Sequence, residues 1–441
     1  MKTVSNILKM KKYLAIIALA SLAFTGVRAQ KLITLRDCYD RASASTPIAG
    51  EGAGYTDIWQ LKDKNLSRNW LPSLDAGGTV IYNSTVVDMT SVLGSLPIPG
   101  IAGLISPLPH DQYKLTVDVN QMIYDGGLVK SSRAAEKASL EVSMKESEVD
   151  IYKLRSQVNI LYFNILLTDR QKEVLESYLK LIKKRISDMQ AALSNGLIKS
   201  SDVDVIDAER IKVEQQLSEN SILREALLKQ LAKITGIEFD NNASLVLPEI
   251  TIPAESEPER PEQALFDLRS NQLAAGIDVI KSKRMPKAYG FATLGYGNPP
   301  GNNFFKDAFE PYYVVGATVK WNIFDWNKSK SERQIIAKQQ QILASRKTDL
   351  TEGLKRMLIS KKAEIDNLES LISSDTPLIA VRKKISAAAS SQYNNGTITA
   401  AEYLSELNAE QQALINNEIH KIRLSMAKAD YLNISGKNID K

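Results

Sequence analysis

The feature that most constrains this chain is a repeat within it. Tyr113-Lys-Leu-Thr-Val-Asp-Val-Asn-Gln-Met-Ile-Tyr-Asp125 aligns with Tyr313-Val-Val-Gly-Ala-Thr-Val-Lys-Trp-Asn-Ile-Phe-Asp325 at an offset of 200 residues. The same offset pairs Asn195-Gly196-Leu197-Ile198 with Asn395-Gly396-Thr397-Ile398, so two landmarks 70 residues apart keep one register. Self-similarity of that kind makes the repeat the organising unit of the fold. Upstream, Leu71-Pro72 and Met285-Pro286 each open a Gly-rich alternating segment, here at an offset of 214 because the intervening loops differ in length. Each half reads as helix, strand, loop, strand, long helix, turn, helix.

The strands are read from a period of two, which sends alternate side chains to opposite faces. Tyr113, Leu115, Val117, Val119 and Ile123 alternate with Lys114, Thr116, Asp118 and Asn120. In the repeat, Tyr313, Val315, Ala317, Val319, Trp321 and Ile323 alternate with Gly316, Thr318, Lys320 and Asn322. Leu74, Ala76, Gly78, Val80 and Tyr82 share a face in the segment after Pro72, as do Ala288, Gly290, Ala292, Leu294 and Tyr296 after Pro286. The expected strands are 73–83, 113–124, 287–297 and 312–324. A tilted strand crosses a bilayer in about 9–11 residues, with an apolar exterior and aromatic girdles. Trp70, Tyr82, Tyr113, Tyr296, Tyr312, Tyr313, Trp321, Phe324 and Trp326 cluster at or near the strand ends. Four apolar faces without a second sheet to cover them point to lipid as the cover. Four strands cannot close a barrel, and an open edge in lipid strands its N–H and C=O groups. Closure must come from several copies, and periodicity leaves two, three or four open.

The helices are long. From Gly126 to Asn195 no proline interrupts the chain, a run of about 105 Å as one helix at 1.5 Å per residue. Positions 154, 158, 161, 165, 168, 172, 175, 179, 182, 186, 189 and 193, at alternating spacings of four and three, are apolar except for Thr168 and Lys172. That period is the signature of a coiled coil. The second long helix, 325–395, contains Pro377, where a bend rather than a break is expected. Each long helix stops at an Asn-Gly pair suited to the left-handed conformation that ends helices. Return helices follow over 200–235 and 399–435. Thr399-Ala-Ala-Glu402 reads as a capping box for the second, and Ser200 or Ser201 as the cap of the first. Asp202, Asp204, Asp207 and Glu209 near that N-terminus suit the helix dipole; repeated around a pore, they also suit a ring of carboxylates.

These elements divide the chain into a first repeat over 30–237, an irregular connector over 238–261 with Pro248, Pro253, Pro258 and Pro261, and a second repeat over 262–441. Both strand-connecting loops fall on the side of the sheet opposite the helices, and the first, from Val86 to Gln112, is unusually apolar.

Net charge enters only to be set aside. The chain carries 56 Lys and Arg against 51 Asp and Glu, a formal +5. Residues 1–29 hold five of the basic residues and no acid, and they carry an apolar run from Tyr13 to Phe24 and a Val27-Arg28-Ala29 cleavage pattern. They read as a secretory signal peptide, too short in its apolar part to span. The remainder is electrically balanced, so nothing favours nucleic acid as a partner. One cysteine and two histidines, His110 and His420, offer no nucleophile, base or metal constellation. No catalytic residue, metal site or cofactor is expected, and the chain does not read as an enzyme. A periplasmic coiled-coil adaptor or scaffold would share the long helices but has no use for lipid-facing strands in duplicate.

The ordered motifs Leu32-Ile-Thr-Leu35, Leu71-Pro72-Ser73-Leu74, Tyr124-Asp125-Gly126-Gly127, Asn195-Gly196-Leu197-Ile198 and Asn395-Gly396-Thr397-Ile398 resemble the TolC-like outer-membrane efflux protein family over almost the full mature chain. The resemblance implies an α+β membrane protein. Antiparallel coiled-coil hairpins and four transmembrane strands per chain would build a homotrimeric 12-stranded barrel and a periplasmic α-barrel. It implies an outer-membrane exit duct with a large periplasmic portion, served by a periplasmic adaptor (membrane fusion) protein and an inner-membrane efflux pump or ABC transporter. The hairpin tips, Asn195-Gly196 and Asn395-Gly396, would form the periplasmic entrance. Family positions for polar links that hold the entrance closed fall on Ser201, Asp202 and Tyr393, which implies a Tyr393 to Asp202 hydrogen bond, and Glu402 falls where a pore-facing acid is often found. Ile398 and Ser405 stand where some members have a second, basic link and a second entrance acid, so the constriction is expected to be less charged and less firmly locked.

Overall fold

The computed structural model describes residues 32–88, 107–240, 243–303 and 306–439. The expected signal peptide and most of the apolar loop lie outside them. In chain order the elements are helices α1 (Leu35–Ser45) and α2 (Glu51–Arg68), strands β1 (Ser73–Tyr82) and β2 (Asp111–Tyr124), then helices α3 (Leu128–Ser194), α4 (Ser200–Thr235) and α5 (Pro261–Lys283). Strands β3 (Lys287–Asn298) and β4 (Glu310–Lys320) follow, and helices α6 (Lys328–Asn394) and α7 (Ala400–Ser435) complete the chain. The long helices α3 and α6 are 67 residues each, and α4 and α7 are 36 each. Helix α6 continues through Pro377. Among the described residues no helix is long and apolar enough to cross a membrane.

Two compact units share the chain. One comprises Gly50–Glu148 and Pro261–Leu350 and holds the sheet, an antiparallel meander in the order β1-β2-β3-β4. Its register assembles rows across all four strands. Ala76, Val117, Leu294 and Tyr313 form one row, and Leu74, Val119, Ala292 and Val315 another. The alternate rows carry Asp75, Asp118, Thr293 and Val314, then Ser73, Asn120, Phe291 and Gly316. Strand β1 is exposed on both faces, and across β2 to β4 the burial is inverted relative to a water-soluble sheet: Leu115 is 65% exposed, Tyr313 75% and Val315 72%, whereas Lys114, Thr116 and Asp118 are half-buried. On that covered side Asp118 accepts hydrogen bonds from the hydroxyls of Thr116 (3.0 Å) and Thr293 (2.5 Å). Strands β1 and β4 each have one edge unpaired among the described residues.

The fourth strand stops at Lys320, short of the expected 324, because its partner there is Lys287, the first residue of β3. The alternating residues Trp321 and Ile323 continue the pattern without a neighbouring strand to bond. Phe324 instead packs edge-on against Trp326 at 4.9 Å. Both strand-to-helix junctions bend through positive φ: Gly126 (+69°) and Gly127 (+82°) in the first, Trp326 (+53°) and Asn327 (+63°) in the second. An aspartate precedes each bend. Asp125 accepts from the amides of Gly127 (2.8 Å) and Val129 (2.5 Å), and Asp325 from the amide of Ser329 (3.0 Å). Ion pairs fasten the shorter helices of this unit to the long ones: Arg133 to Asp63, Lys62 to Glu136, Arg269 to Glu146 and Lys347 to Asp267.

The other unit takes the described residues up to Ala49, Val149–Arg260 and those from Thr351. Here the 3.5-residue stripe of α3 is the core: Val158, Leu161, Ile165, Thr168, Leu175, Ile182, Ile186 and Met189 are all buried. Tyr162 anchors the connector by donating to the carbonyls of Ile33 (2.9 Å) and Val246 (2.6 Å), beside a parallel bridge between Ile33 and Leu245. Cys38 lies fully buried on α1, and burial, with Asp37 adding a smaller effect, pushes its thiol up to about 12. The return helices end at Gly236 (φ +67°) and Gly436 (φ +83°).

Candidate functional site at the hairpin tips

Both tips are built alike from the sequence upward. At the first, Gly196 (φ +69°) donates to Leu193 O (2.9 Å) and Leu197 to Ala192 O (3.0 Å). At the second, Gly396 (φ +70°) donates to Tyr393 O (2.9 Å) and Thr397 to Gln392 O (3.0 Å). These paired 6→1 and 5→2 bonds satisfy carbonyls that a helix end would otherwise leave free. Asn195, Gly196, Asn395 and Gly396 are all exposed, and Leu197 projects fully from the first turn.

The return helices start with acids that work as caps. Thr399 accepts from the amide of Glu402 (3.2 Å), while the Glu402 carboxylate accepts from the Thr399 amide (2.7 Å) and hydroxyl (3.0 Å). Those bonds, the backbone amide foremost, hold the Glu402 carboxyl below its ordinary range. At the first tip the cap falls on Lys199, not on Ser200 or Ser201. Ser200 is already helical, and Ser201 lies exposed in the first turn. A lysine has no acceptor to offer, so only the reciprocal half of the box forms, with Asp202 accepting from the Lys199 amide at 3.2 Å.

Tyr393 and Asp202, the pair for which the resemblance implies a hydrogen bond between hairpins, make none with each other among the described residues. The Tyr393 hydroxyl is buried without a hydrogen-bond partner among the described residues. Burial raises its pKa, and the nearby Asp202 carboxylate raises it further. Its ring stacks on Tyr403 with centroids 5.6 Å apart and planes at 18°. The organiser of the cluster is a residue off the apolar stripe of α3, Arg185. It donates to Asn394 Oδ1 (2.9 Å), Ser390 Oγ (2.5 Å) and Tyr403 Oη (3.2 Å). Its guanidinium also lies 4.8 Å from the Tyr403 ring centroid and 5.9 Å from that of Tyr393. Nothing in the spacing of the sequence marks Arg185, since a heptad reading assigns it to a solvated flank. Beneath the cluster, Tyr178, Ile182, Ile186, Met189, Val203, Ile206, Tyr403 and Leu407 form one apolar core. Among the described residues no group of three or more His, Cys, Asp or Glu could hold a metal.

Residues 66–237 match the sequence model of the outer membrane efflux protein family. No curated protein matches the chain. Its fold is that of solved outer-membrane channels. The chain superimposes on CusC, from a study of folding and transmembrane channel formation, with a TM-score of 0.69 at 11% identity over 92% of both chains. VceC of Vibrio cholerae gives 0.64 at 14% identity, covering 92% of this chain and 97% of that one. The open state of the MtrE outer membrane channel of Neisseria gonorrhoeae gives 0.64 at 15%, covering 92% and 89%. By sequence over 66–237 and by fold over nine-tenths of its length, the protein is similar to the TolC-like outer membrane efflux proteins, as its ordered motifs imply.

Proposed function

We propose that the protein is the outer-membrane channel of a tripartite efflux or secretion system, a passive duct from a periplasmic pump and adaptor assembly to the exterior. The observation that carries this reading is the sheet. Leu115, Leu294, Tyr313 and Val315 lie exposed, whereas Lys114, Thr116 and Asp118 on the opposite face are half-buried, an arrangement that suits lipid outside and water within. Among the described residues its two outer edges lack partners, and lipid cannot satisfy them. Three copies supply 12 strands, an even number that closes a barrel. In this reading α3, α4, α6 and α7 extend into the periplasm. The tips bearing Asn195, Gly196, Asn395 and Gly396, with Ser201, Asp202, Tyr393 and Glu402 beside them, then form the entrance that meets the adaptor.

The test is the native mass of the mature protein extracted from outer membranes, set against the mass of the denatured chain. A detergent-dependent complex of three chains is the expected result. A detergent-free monomer or dimer would overturn it and favour a coiled-coil scaffold.

A further inference from the structure

We propose that the groove between α2 and α3, at the helical end of the sheet, is a binding site for the phosphate headgroup of an anionic membrane phospholipid. The inference rests on the reading of the sheet as lipid-facing. Trp59 of α2 and Trp70 before β1 line the groove from one side, and Tyr124 at the end of β2 with Lys130, Arg133 and Lys137 of α3 from the other, around a cavity of about 650 Å³. The end of β2 turns Tyr124 toward the lipid side. A bulge between Met122 and Tyr124 adds one residue, so Tyr124 pairs with Ala288 and joins the face of Ala292 and Leu294, the partners of Val119 and Val117. Tyr124 and its neighbour Ile123 are both more than half exposed. The groove also lies below β1 and β2, which pair within the chain.

Two of the groove's charges are unused. Arg133 is committed to Asp63, donating from Nε (2.5 Å) and from the guanidinium end (2.7 Å). Asp125 is buried and accepts the amides of Gly127 and Val129. Lys130 and Lys137, seven residues apart and so on one side of α3, are exposed, and neither has a hydrogen bond or ion pair among the described residues. Free ammonium groups bind phosphate as point charges, and Trp and Tyr rings lie at headgroup level because one end is apolar and the other wet. The surroundings repeat this sign. At the helical end of the sheet β3 begins at Lys287 and β4 stops at Lys320, whereas at the other end β2 begins at Asp111 and β4 at Glu310. Of the described α-helices only α3 and α6, which start at the helical end, have no acid in the first turn. Lys130 stands in that turn of α3, and Lys328 and Lys330 in that of α6. A cation there opposes the helix dipole, and an anion from outside the chain relieves the opposition. The phosphates of an anionic leaflet supply such charge along the whole boundary. In the groove the aromatic side chains give it a fixed seat, from which the acyl chains extend over the exposed Leu74 and Ile123.

The test is native mass spectrometry of the full mature protein in detergent, titrated with phosphatidylglycerol, with the diacylglycerol of the same chains, and with inorganic phosphate. The wild type is expected to retain phosphatidylglycerol and not the diacylglycerol, and inorganic phosphate should not displace the lipid. Lys130→Gln together with Lys137→Gln should weaken the binding roughly tenfold or more, the effect of removing two cations from an anionic lipid, and Trp70→Ala should weaken it by a smaller factor. Lys383→Gln with Lys384→Gln removes the same charge from exposed positions of α6 in the other unit and should change nothing. Equal retention by the wild type and the Lys130 and Lys137 variant would overturn the site while leaving the channel reading intact. So would an equal loss in the Lys383 and Lys384 variant, or diacylglycerol held as tightly as the phospholipid. Displacement by inorganic phosphate would overturn the lipid in favour of the free anion. If the double variant does not assemble, Lys130→Gln and Lys137→Gln are measured singly, and unchanged binding in both overturns the site equally. A wild-type protein that stays in solution without detergent would overturn the lipid-facing reading itself, and the site with it.

Discussion

At the scale of single residues, the turns separate two reasons for glycine. At Gly396 an added Cβ meets nothing within 4 Å, so only its φ of +70° demands glycine. At Gly436 the φ is +83°, and an added Cβ would also press into the backbone of Glu259 and Arg260, 3.1 Å from the Arg260 nitrogen. Gly396→Ala should therefore cost about 1 kcal/mol, the penalty of a left-handed alanine, and Gly436→Ala distinctly more; equilibrium denaturation of the two variants checks the order. Glu402 makes a pH prediction of definite sign. Its carboxyl is held below the ordinary 4.5 by the Thr399 amide and hydroxyl, so its contribution is complete above that value and fades as pH falls through the lowered one. The thermal stabilities of wild type and Glu402→Gln should differ at neutral pH and converge in acid, and a gap that widens in acid would refute the cap. These residues also show what the sequence could convey. The Asn-Gly turns and the Thr399 box were legible because the residue types are themselves the cause. The cap at Lys199 was not, because the bond there comes from Asp202 three residues on, and lysine carries no signal for it.

At the scale of elements, legibility followed periodicity. The stripe of α3 was readable because a period of 3.5 has one physical outcome, and Val158, Leu161, Ile165, Leu175, Ile182, Ile186 and Met189 on it lie in the core. The period of two was equally readable within each strand, but a strand's end depends on its neighbour. Trp321 and Ile323 keep the alternation, and β4 still stops at Lys320 because β3 begins at Lys287. The junctions before the long helices tell the same story from the other side. Gly126-Gly127 announces a positive φ and Asn327 tolerates one, while Trp326 adopts it with nothing in its residue type to foretell it; an aspartate precedes each bend and accepts amides beyond it. Arg185 was illegible for a related reason, since its meaning lies in three acceptors about 200 residues away. The two faces of β4 supply the test at this scale. Val315 faces outward and is 72% exposed, whereas Thr318 lies on the more covered polar side. If lipid covers the outer face, Val315→Lys should cost about 2–4 kcal/mol and Thr318→Lys little. The yield of assembled protein in outer membranes measures both, and equal yields would argue against lipid.

At the scale of the whole molecule, the question is what satisfies the free edges of β1 and β4. The antiparallel meander fixes the direction in which any closure must run. Strands β1 and β3 point one way and β2 and β4 the other, so β4 of one copy meets β1 of the next antiparallel, and the ladder continues without a change of pattern. That places the Ser73 end of β1 beside the Lys320 end of β4, and the Tyr82 end beside Glu310. Cysteines introduced together as Leu74→Cys with Val319→Cys, or as Val80→Cys with Tyr313→Cys, should form disulfides between chains. The crossed combination, Val80→Cys with Val319→Cys, sets the thiols at opposite ends of the two strands, about 20 Å or more apart at ~3.3 Å per residue, and should not. The native cysteine does not interfere, because Cys38 is fully buried and its thiol is pushed up to about 12, far from a reactive thiolate at neutral pH. Denaturing electrophoresis without reductant reads the outcome directly. A ring of three gives dimers and trimers from the matched pairs alone. Cross-links from the crossed pair would mean that the edges meet in some other direction, and no cross-links from either matched pair would mean that the sheet does not close through copies of this chain.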